Sequence, residues 1–163
     1  MRVYHGSLEL VASPEIREPN RTLDYGSGFY TTTSSEQAES WVRRKMNEQQ
    51  KAHGFVNLYE FDESYMHKFN CLVFEEPTED WVDFVMKNRV ELGFHHDFDI
   101  VYGPVANDRV YAAFALFEGG VLNKEELIHE LKAYELVDQY LFHTERSLVA
   151  LSFIEGKEVR NES

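Results

Sequence analysis

The spacing of hydrophobic residues along the chain switches between two periods, and each switch predicts a change of secondary structure. Short apolar or alternating runs are typical of strands, and apolar residues three or four positions apart are typical of helices. The predicted strands are 2–5, 29–33, 55–61, 69–74, 99–102 and 137–143, with a final apolar segment at 148–154. The predicted helices cover 35–52, 78–88, 108–118 and 124–134.

The order of these elements bears on the fold class. Strands and helices are mixed without the regular alternation of a doubly wound parallel sheet, so we expect an α+β fold. A chain of 163 residues, 43% of them hydrophobic and 14% aromatic, fits one globular domain spanning 1–163. The tail after about Gly156 is expected to be frayed.

Polar residues that accept hydrogen bonds from free backbone N–H groups stand before several predicted helices. The candidate caps are Ser34 or Ser35 for the first helix, Asn107 or Asp108 for the third, and Asn123 for the fourth, where Glu126 completes a capping box. We expect the first helix to stop at Gly54, because glycine adopts the left-handed conformation that ends many helices.

The formal net charge of −13 changes what the chain is expected to bind. An acidic field repels phosphate backbones, which disfavours nonspecific nucleic-acid binding and leaves an acidic protein-interaction surface as one interpretation. A nucleic acid entering at one basic patch remains open. That patch would consist of Arg17, Arg21, Arg43, Arg44 and Lys45.

The location of the protein is inferred from three features. Cys71 is the single cysteine, and no apolar run approaches the roughly 20 residues of a membrane span. The first residues lack the apolar stretch of a signal peptide. We therefore expect a cytoplasmic protein without a membrane partner.

Three segments carry the candidate chemistry. They are Tyr4-His5-Gly6-Ser7, Gly26-Ser27-Gly28-Phe29-Tyr30 and Asp138-Gln139-Tyr140-Leu141. Each alone has an ordinary structural explanation. The glycine pair also fails the Rossmann dinucleotide fingerprint, because Thr31 stands where the third glycine belongs.

Together, the three segments resemble the ADP-ribosyltransferase superfamily, in its PARP and diphtheria-toxin-like branch. That branch carries a His–Tyr–Glu triad on three strands, and the resemblance implies an ADP-ribosyltransferase-like split β-sandwich with flanking helices. His5 and Tyr30 match the first two members. The last apolar segment, 148–153, aligns Gln139 with the family's glutamate, and Trp41 falls at the aromatic position eleven residues after Tyr30. The chain also looks like an uncharacterised bacterial family of stand-alone domains with Tyr-His-Gly-Ser and Gly-Phe-Tyr-Thr-Thr motifs.

The residue chemistry fits NAD as co-substrate. Tyr30 and Trp41 would sandwich the nicotinamide ring, and His5 would bond a ribose hydroxyl or, if protonated, a phosphate. Arg21 would neutralise the pyrophosphate. The other expected cofactor-binding residues are Gly6, Ser7 and Gly28.

The reaction would break an N-glycosidic bond through a cation-like transition state, which a carboxylate stabilises. Gln139 lacks that charge, so the predicted catalytic set of His5, Tyr30 and Gln139 needs another carboxylate, is slow, or only binds. Asp108 is the auxiliary candidate, and Asp24 and Glu145 are weaker ones. No metal is expected, because the segment 95–99 lacks zinc-ligand spacing.

Three functions follow as hypotheses. The first is an NAD-dependent mono-ADP-ribosyltransferase that modifies a protein or nucleic-acid acceptor and releases nicotinamide. The resemblance implies a bacterial toxin or effector role, with an antitoxin or regulatory partner. The alternatives are a catalytically silent NAD- or ADP-ribose-binding module and an acidic protein-interaction domain.

Overall fold

Two β-sheets form the framework in the computed structural model, which describes residues 1–17, 23–91 and 93–161. The first sheet has the order β1 (Arg2–Ser7), β3 (His53–Phe61), β7 (Leu151–Arg160). The second has the order β2 (Phe29–Thr31), β6 (Asp138–Phe142), β5 (Ile100–Pro104), β4 (Cys71–Val73). Neighbouring strands are antiparallel except β4 and β5, which are parallel.

Four helices are present in the described ranges, and they confirm the predicted α+β class. They are α1 (Ser35–Gln49), α2 (Glu79–Val90), α3 (Asp108–Glu118) and α4 (Lys124–Lys132), with 3₁₀ turns at Glu63–His67 and Glu145–Ala150. Ser34 and Asn107 cap α1 and α3, and Asn123 forms the predicted capping box with Glu126. None of the helices in these ranges is long and apolar enough to cross a bilayer.

The end of α1 differs from the prediction. Gln50, not Gly54, takes the left-handed conformation, with φ of 54°. Gly54 lies inside β3, where an added Cβ would come within 2.2 Å of a Val42 methyl. The glycine therefore serves close packing of β3 against α1.

The tail was also predicted wrongly. Residues beyond Gly156 continue β7 to Arg160 and pair with the first half of β3, down to His53 opposite Arg160. This stretch is polar, so its sequence did not indicate a strand. Its backbone N–H and C=O groups are paired with those of β3.

The two sheets face each other across one core and carry helices on their outer faces. Val3, Tyr59 and Phe61 of the first sheet pack with Ile100 and Phe142 of the second. On the far side of the second sheet lies another core, formed mainly by α2, α3 and α4.

The two sheets are joined at one corner, next to a third, smaller hydrophobic cluster that lies between α1 and the first sheet. Tyr4 and Thr32 exchange backbone hydrogen bonds of 2.8 and 2.9 Å, which link β1 to the end of β2. Ala38, Val42 and Met46 of α1 pack on the first sheet. This corner brings β1, β2 and α1 together.

Candidate functional site

A cleft of about 440 Å³ opens where the two sheets, α1 and α3 converge. Both sheets contribute: His5 comes from β1, Tyr30 from β2 and Gln139 from β6. Trp41 of α1 adds an aromatic ring. These four residues, separated by up to 134 positions in sequence, line one cavity.

Most of the other expected site residues also lie here. Gly6, Gly28 and Asp108 line the cleft. Ser7 lies outside the lining, and its hydroxyl accepts a hydrogen bond of 3.1 Å from the Glu9 amide. Arg21 lies outside the described residues. The binding and catalytic roles of all these residues remain predictions.

Gly6 allows close packing because it lacks a Cβ. A Cβ at this position would lie 2.5 Å from the Ala38 carbonyl oxygen and 2.7 Å from a Val42 methyl. The bare Cα lets α1 sit directly on β1, which carries Trp41 to the mouth of the cleft. Gly6 thus affects the cleft through the packing of α1.

His5 is held as a neutral imidazole. Its Nδ1 lies 2.6 Å from the Tyr30 carbonyl oxygen, and its ring stacks on Phe29 with centroids 3.9 Å apart. Because a carbonyl only accepts, Nδ1 carries the proton and Nε2 is the acceptor nitrogen. Burial lowers the pKa of His5 to about 4. In the protein without ligand, His5 near neutral pH therefore offers an acceptor nitrogen, which suits a ribose hydroxyl better than a phosphate.

Tyr30 lines the cleft, and its hydroxyl is held by backbone groups of the loop before β2. The hydroxyl donates to the Gly26 carbonyl at 2.6 Å and accepts from the Tyr25 amide at 3.0 Å. Burial raises the pKa of Tyr30, so it stays protonated. Tyr30 and Trp41 both line the cleft, and within the described ranges no ring contact joins them.

The loop before β2 is anchored by two histidines. His96 Nε2 lies 2.7 Å from the Tyr25 carbonyl oxygen, and His143 Nδ1 lies 2.6 Å from that of Ser27. Their rings are 4.1 Å apart. Gly28, with φ of 144°, allows the turn into β2. The anchored loop holds Asp24 in a fixed position in the cleft wall.

Asp24 is held more firmly than the other carboxylates among the described residues that line the cleft. Its Oδ2 accepts from the Ala106 amide at 3.0 Å and from Gln139 Nε2 at 3.2 Å. Its Oδ1 accepts from the Tyr111 hydroxyl and lies 3.9 Å from an Arg89 nitrogen. The side chain is 11% exposed, and burial raises its pKa.

Gln139 has a defined amide orientation. The side chain is 2% exposed, and its Nε2 donates to Asp24 and, at 3.3 Å, to the Pro104 carbonyl. Both partners can only accept while Asp24 is ionised, so they select the NH₂ end of the amide. The amide oxygen of Gln139 consequently faces away from Asp24 and the Pro104 carbonyl.

The remaining candidate carboxylates are held less firmly. Asp108 is exposed in the first turn of α3, whose cap is Asn107, and it lines the cleft. Glu145 is exposed at the start of a 3₁₀ turn outside the lining. Asp24 is therefore held more firmly than Asp108, and the auxiliary role expected of Asp108 stays a prediction.

Positive charge is concentrated in the cleft although the chain is acidic. The lining contains Arg17, Arg44, Lys45 and Arg89, together with Asp24, Glu48 and Asp108. Arg43 of the predicted basic patch lies outside the lining and pairs with Glu39 at 3.5 Å. Local cations of this kind raise the concentration of an anionic ligand in the cleft.

No group of three or more potential metal ligands occurs within 1–17, 23–91 and 93–161.

A family model described as "Protein of unknown function (DUF3990)" matches residues 1–153. The chain belongs to this family. Neither the curated proteins nor the solved structures contain a match to it.

In this DUF3990 member, sequence reasoning missed two residues that support the site. Tyr111 of α3 and Arg89 of α2 both reach Asp24, and the Arg89 guanidinium lies 4.4 Å from the Tyr111 ring centroid. Neither belongs to a motif. The one available signal was the separation of Asp108 and Tyr111 by three helical positions, which puts both on one face of α3.

Proposed function

We propose that this protein is an NAD-dependent mono-ADP-ribosyltransferase. The observation that carries the proposal is the meeting of His5, Tyr30, Trp41 and Gln139 in one cleft. They come from four separate elements, so their convergence is not a consequence of sequence proximity. The two facing sheets with outer helices are compatible with an ADP-ribosyltransferase-like split β-sandwich, which is part of the proposal.

Each part of NAD has a chemical counterpart in the cleft. Nicotinamide would occupy the space between the Tyr30 and Trp41 rings, where flat aromatic groups gain from stacking. The acceptor Nε2 of neutral His5 suits a ribose hydroxyl. The cationic groups at the mouth, Arg44 and Lys45 among them, suit the pyrophosphate.

A single ADP-ribose group would be transferred to each site on a macromolecular acceptor, which is a protein or a nucleic acid. A toxin or effector role with an antitoxin or regulatory partner is part of the same proposal. It is supported by the motif resemblance.

The test is nicotinamide release from NAD by the purified protein, with and without a lysate as acceptor source. We expect His5→Ala and Tyr30→Ala each to reduce release about 100-fold or more, because each removes a positioning contact. His53→Ala is the matched control, since His53 is an exposed histidine on β3 whose Nδ1 pairs with Glu158 outside the cleft lining.

Two further measurements accompany the assay of nicotinamide release. Folding of each variant is checked by thermal unfolding, and NAD affinity is measured by calorimetry. Full activity in both cleft variants would contradict the assignment. Equal loss in His53→Ala would show that the effect is not specific to the cleft.

A silent NAD-binding module is the second candidate, and the uncharged amide of Gln139 is the observation that favours it. In that case NAD would raise the melting temperature of wild type but not of Tyr30→Ala. No nicotinamide would be released at any enzyme concentration. Release above the spontaneous rate would eliminate this candidate.

A further inference from the structure

We propose that Asp24 and Gln139 act as one unit, in which Gln139 contacts the nicotinamide ribose and Asp24 supplies the negative charge behind it. This inference rests on the proposed function and assigns the carboxylate that the reaction requires. Asp24 is a positioning residue here, because it acts through the Gln139 amide.

The reaction creates the need for that charge. The bond between ribose C1′ and the nicotinamide nitrogen breaks, and both electrons leave with neutral nicotinamide. C1′ becomes cation-like until an acceptor nucleophile, or water, supplies the electron pair for the new bond. The nucleophile then loses its proton to solvent through the open cleft. A fixed negative charge near C1′ stabilises this transition state more than the ground state.

Within residues 1–17, 23–91 and 93–161, three carboxylates line the cleft, and their surroundings differ. Glu48 and Asp108 are exposed, so water screens their charge. Asp24 is 11% exposed and receives hydrogen bonds from α3, β6 and the segment after β5. A buried and immobile carboxylate acts at low local dielectric and needs no reorganisation during the reaction.

The Asp24–Gln139 contact transmits the charge. Asp24 Oδ2 accepts from Gln139 Nε2 at 3.2 Å, and the Pro104 carbonyl accepts from the same nitrogen at 3.3 Å. These acceptors keep the amide oxygen facing away from Asp24. A carboxylate bound to the NH₂ group polarises the amide, which makes its oxygen a stronger acceptor for a ribose hydroxyl.

Among the described residues, the groups that donate hydrogen bonds to Asp24 are all uncharged. They are the Tyr111 hydroxyl, the Ala106 amide and the side-chain amide of Gln139. The Arg89 nitrogen is 3.9 Å from Oδ1, beyond hydrogen-bond distance. Burial is the largest cause of the raised pKa of Asp24, and the Arg89 charge opposes it only in part.

A charge-swap cycle tests the unit. Asp24→Asn should reduce kcat for nicotinamide release about 100-fold, the usual cost of losing one preorganised electrostatic contact, with NAD affinity within about threefold of wild type. Gln139→Glu alone brings a second carboxylate against Asp24, so one of the two binds a proton and the pair keeps a single negative charge; its kcat should not exceed that of wild type. The double variant has one carboxylate and one amide again, and should recover to within about tenfold of wild type.

The controls separate charge from folding. Glu145→Gln is the matched carboxylate control, because Glu145 is exposed and outside the cleft lining. Thermal unfolding monitors each variant. If Gln139→Glu fails to fold, the pH profile replaces it. Wild-type kcat should fall as the pH drops through the raised pKa of Asp24, and this limb should be missing in Asp24→Asn.

The inference is overturned if Gln139→Glu is faster than wild type, if Asp24→Asn keeps full kcat, or if the acid limb persists in Asp24→Asn. A wild type that neither binds NAD nor releases nicotinamide would refute the proposed function itself. An active wild type with no rescue in a folded double variant would refute the Asp24–Gln139 unit alone.

Discussion

Asp24 and Asp99 are both largely buried aspartates, with 11% and 3% of the side chain exposed, yet they serve different ends. Asp99 stands just before β5, and its carboxylate is bound by the Arg146 guanidinium through both oxygens. Thr144 and the Asn70 amide also donate to it. These contacts hold the pKa of Asp99 at about 2.

Asp24 accepts three hydrogen bonds against the four of Asp99, and the cation that the structure places beside it, Arg89, lies 3.9 Å away. The donors to Asp24 are a tyrosine hydroxyl, a backbone amide and a glutamine amide, and its pKa is raised by burial. The two aspartates are similarly buried, so their different partners decide in which direction the pKa of each carboxylate shifts. The Asp99 carboxylate links the start of β5 to the residue before β4 and to the 3₁₀ turn, while the Asp24 carboxylate lies in the wall of the cleft.

The largest expected effect is on stability. Asp99→Ala removes an acceptor of several hydrogen bonds, and we expect the free energy of unfolding in urea to fall by about 3 kcal/mol. Asp24→Asn should change it by less than about 1 kcal/mol, because the loss of a charge-assisted contact is offset by relief of charge burial. A larger loss in Asp24→Asn than in Asp99→Ala would break the comparison.

The second prediction concerns the sign of the pH dependence. The folded-state pKa of Asp99 is about 2 and its ordinary value is 3.8, so its stabilisation is present above 3.8 and is lost as pH falls toward 2. The pKa of Asp24 is raised above 3.8, so its ionisation lowers stability as pH rises through the raised value.

Urea unfolding of wild type, Asp99→Asn and Asp24→Asn across acid and neutral pH measures both slopes. The advantage of wild type over Asp99→Asn should shrink with acid. The free energy of unfolding of wild type relative to Asp24→Asn should rise with acid. Parallel slopes would show that the two carboxylates share one environment.

The third prediction compares the two arginines. Arg146 is 66% exposed, so Arg146→Ala should cost only about 1–2 kcal/mol, and salt should reduce the loss. Arg89→Ala should leave stability within about 1 kcal/mol and raise the pKa of Asp24, seen as an acid limb of kcat moved to higher pH. An Arg146→Ala variant that moves this limb would link two sites that we regard as separate.

The smallest expected effects come from single hydroxyl groups. Tyr111→Phe and Thr144→Val each remove one donor to a buried carboxylate, and each should cost about 1 kcal/mol of stability. Nicotinamide release distinguishes them. We expect Tyr111→Phe to alter its rate and Thr144→Val to leave it unchanged, and the reverse pattern would contradict the functional separation.

Local features of the fold were predictable because their physical causes are local. The Asn123–Glu126 box and the Asn107 cap depend on side chains a few residues from the N–H groups they satisfy. The same reasoning failed at Gly54, because packing of α1 against β3 outweighed the glycine preference for a helix end. It also failed after Gly156, because pairing with β3 stabilises a strand of low local propensity.

The candidate site also has features with local causes and features that depend on long-range contacts. By itself, the sequence determined the residue types at His5, Tyr30 and Gln139, the absence of charge at Gln139 and the helix that carries Trp41. Only the tertiary structure selected Asp24 as the neighbouring carboxylate. Asp24 and Gln139 are 115 residues apart, and nothing local distinguishes this aspartate from a turn residue. Long-range strand pairing and burial placed the two in contact and set the state of the charge.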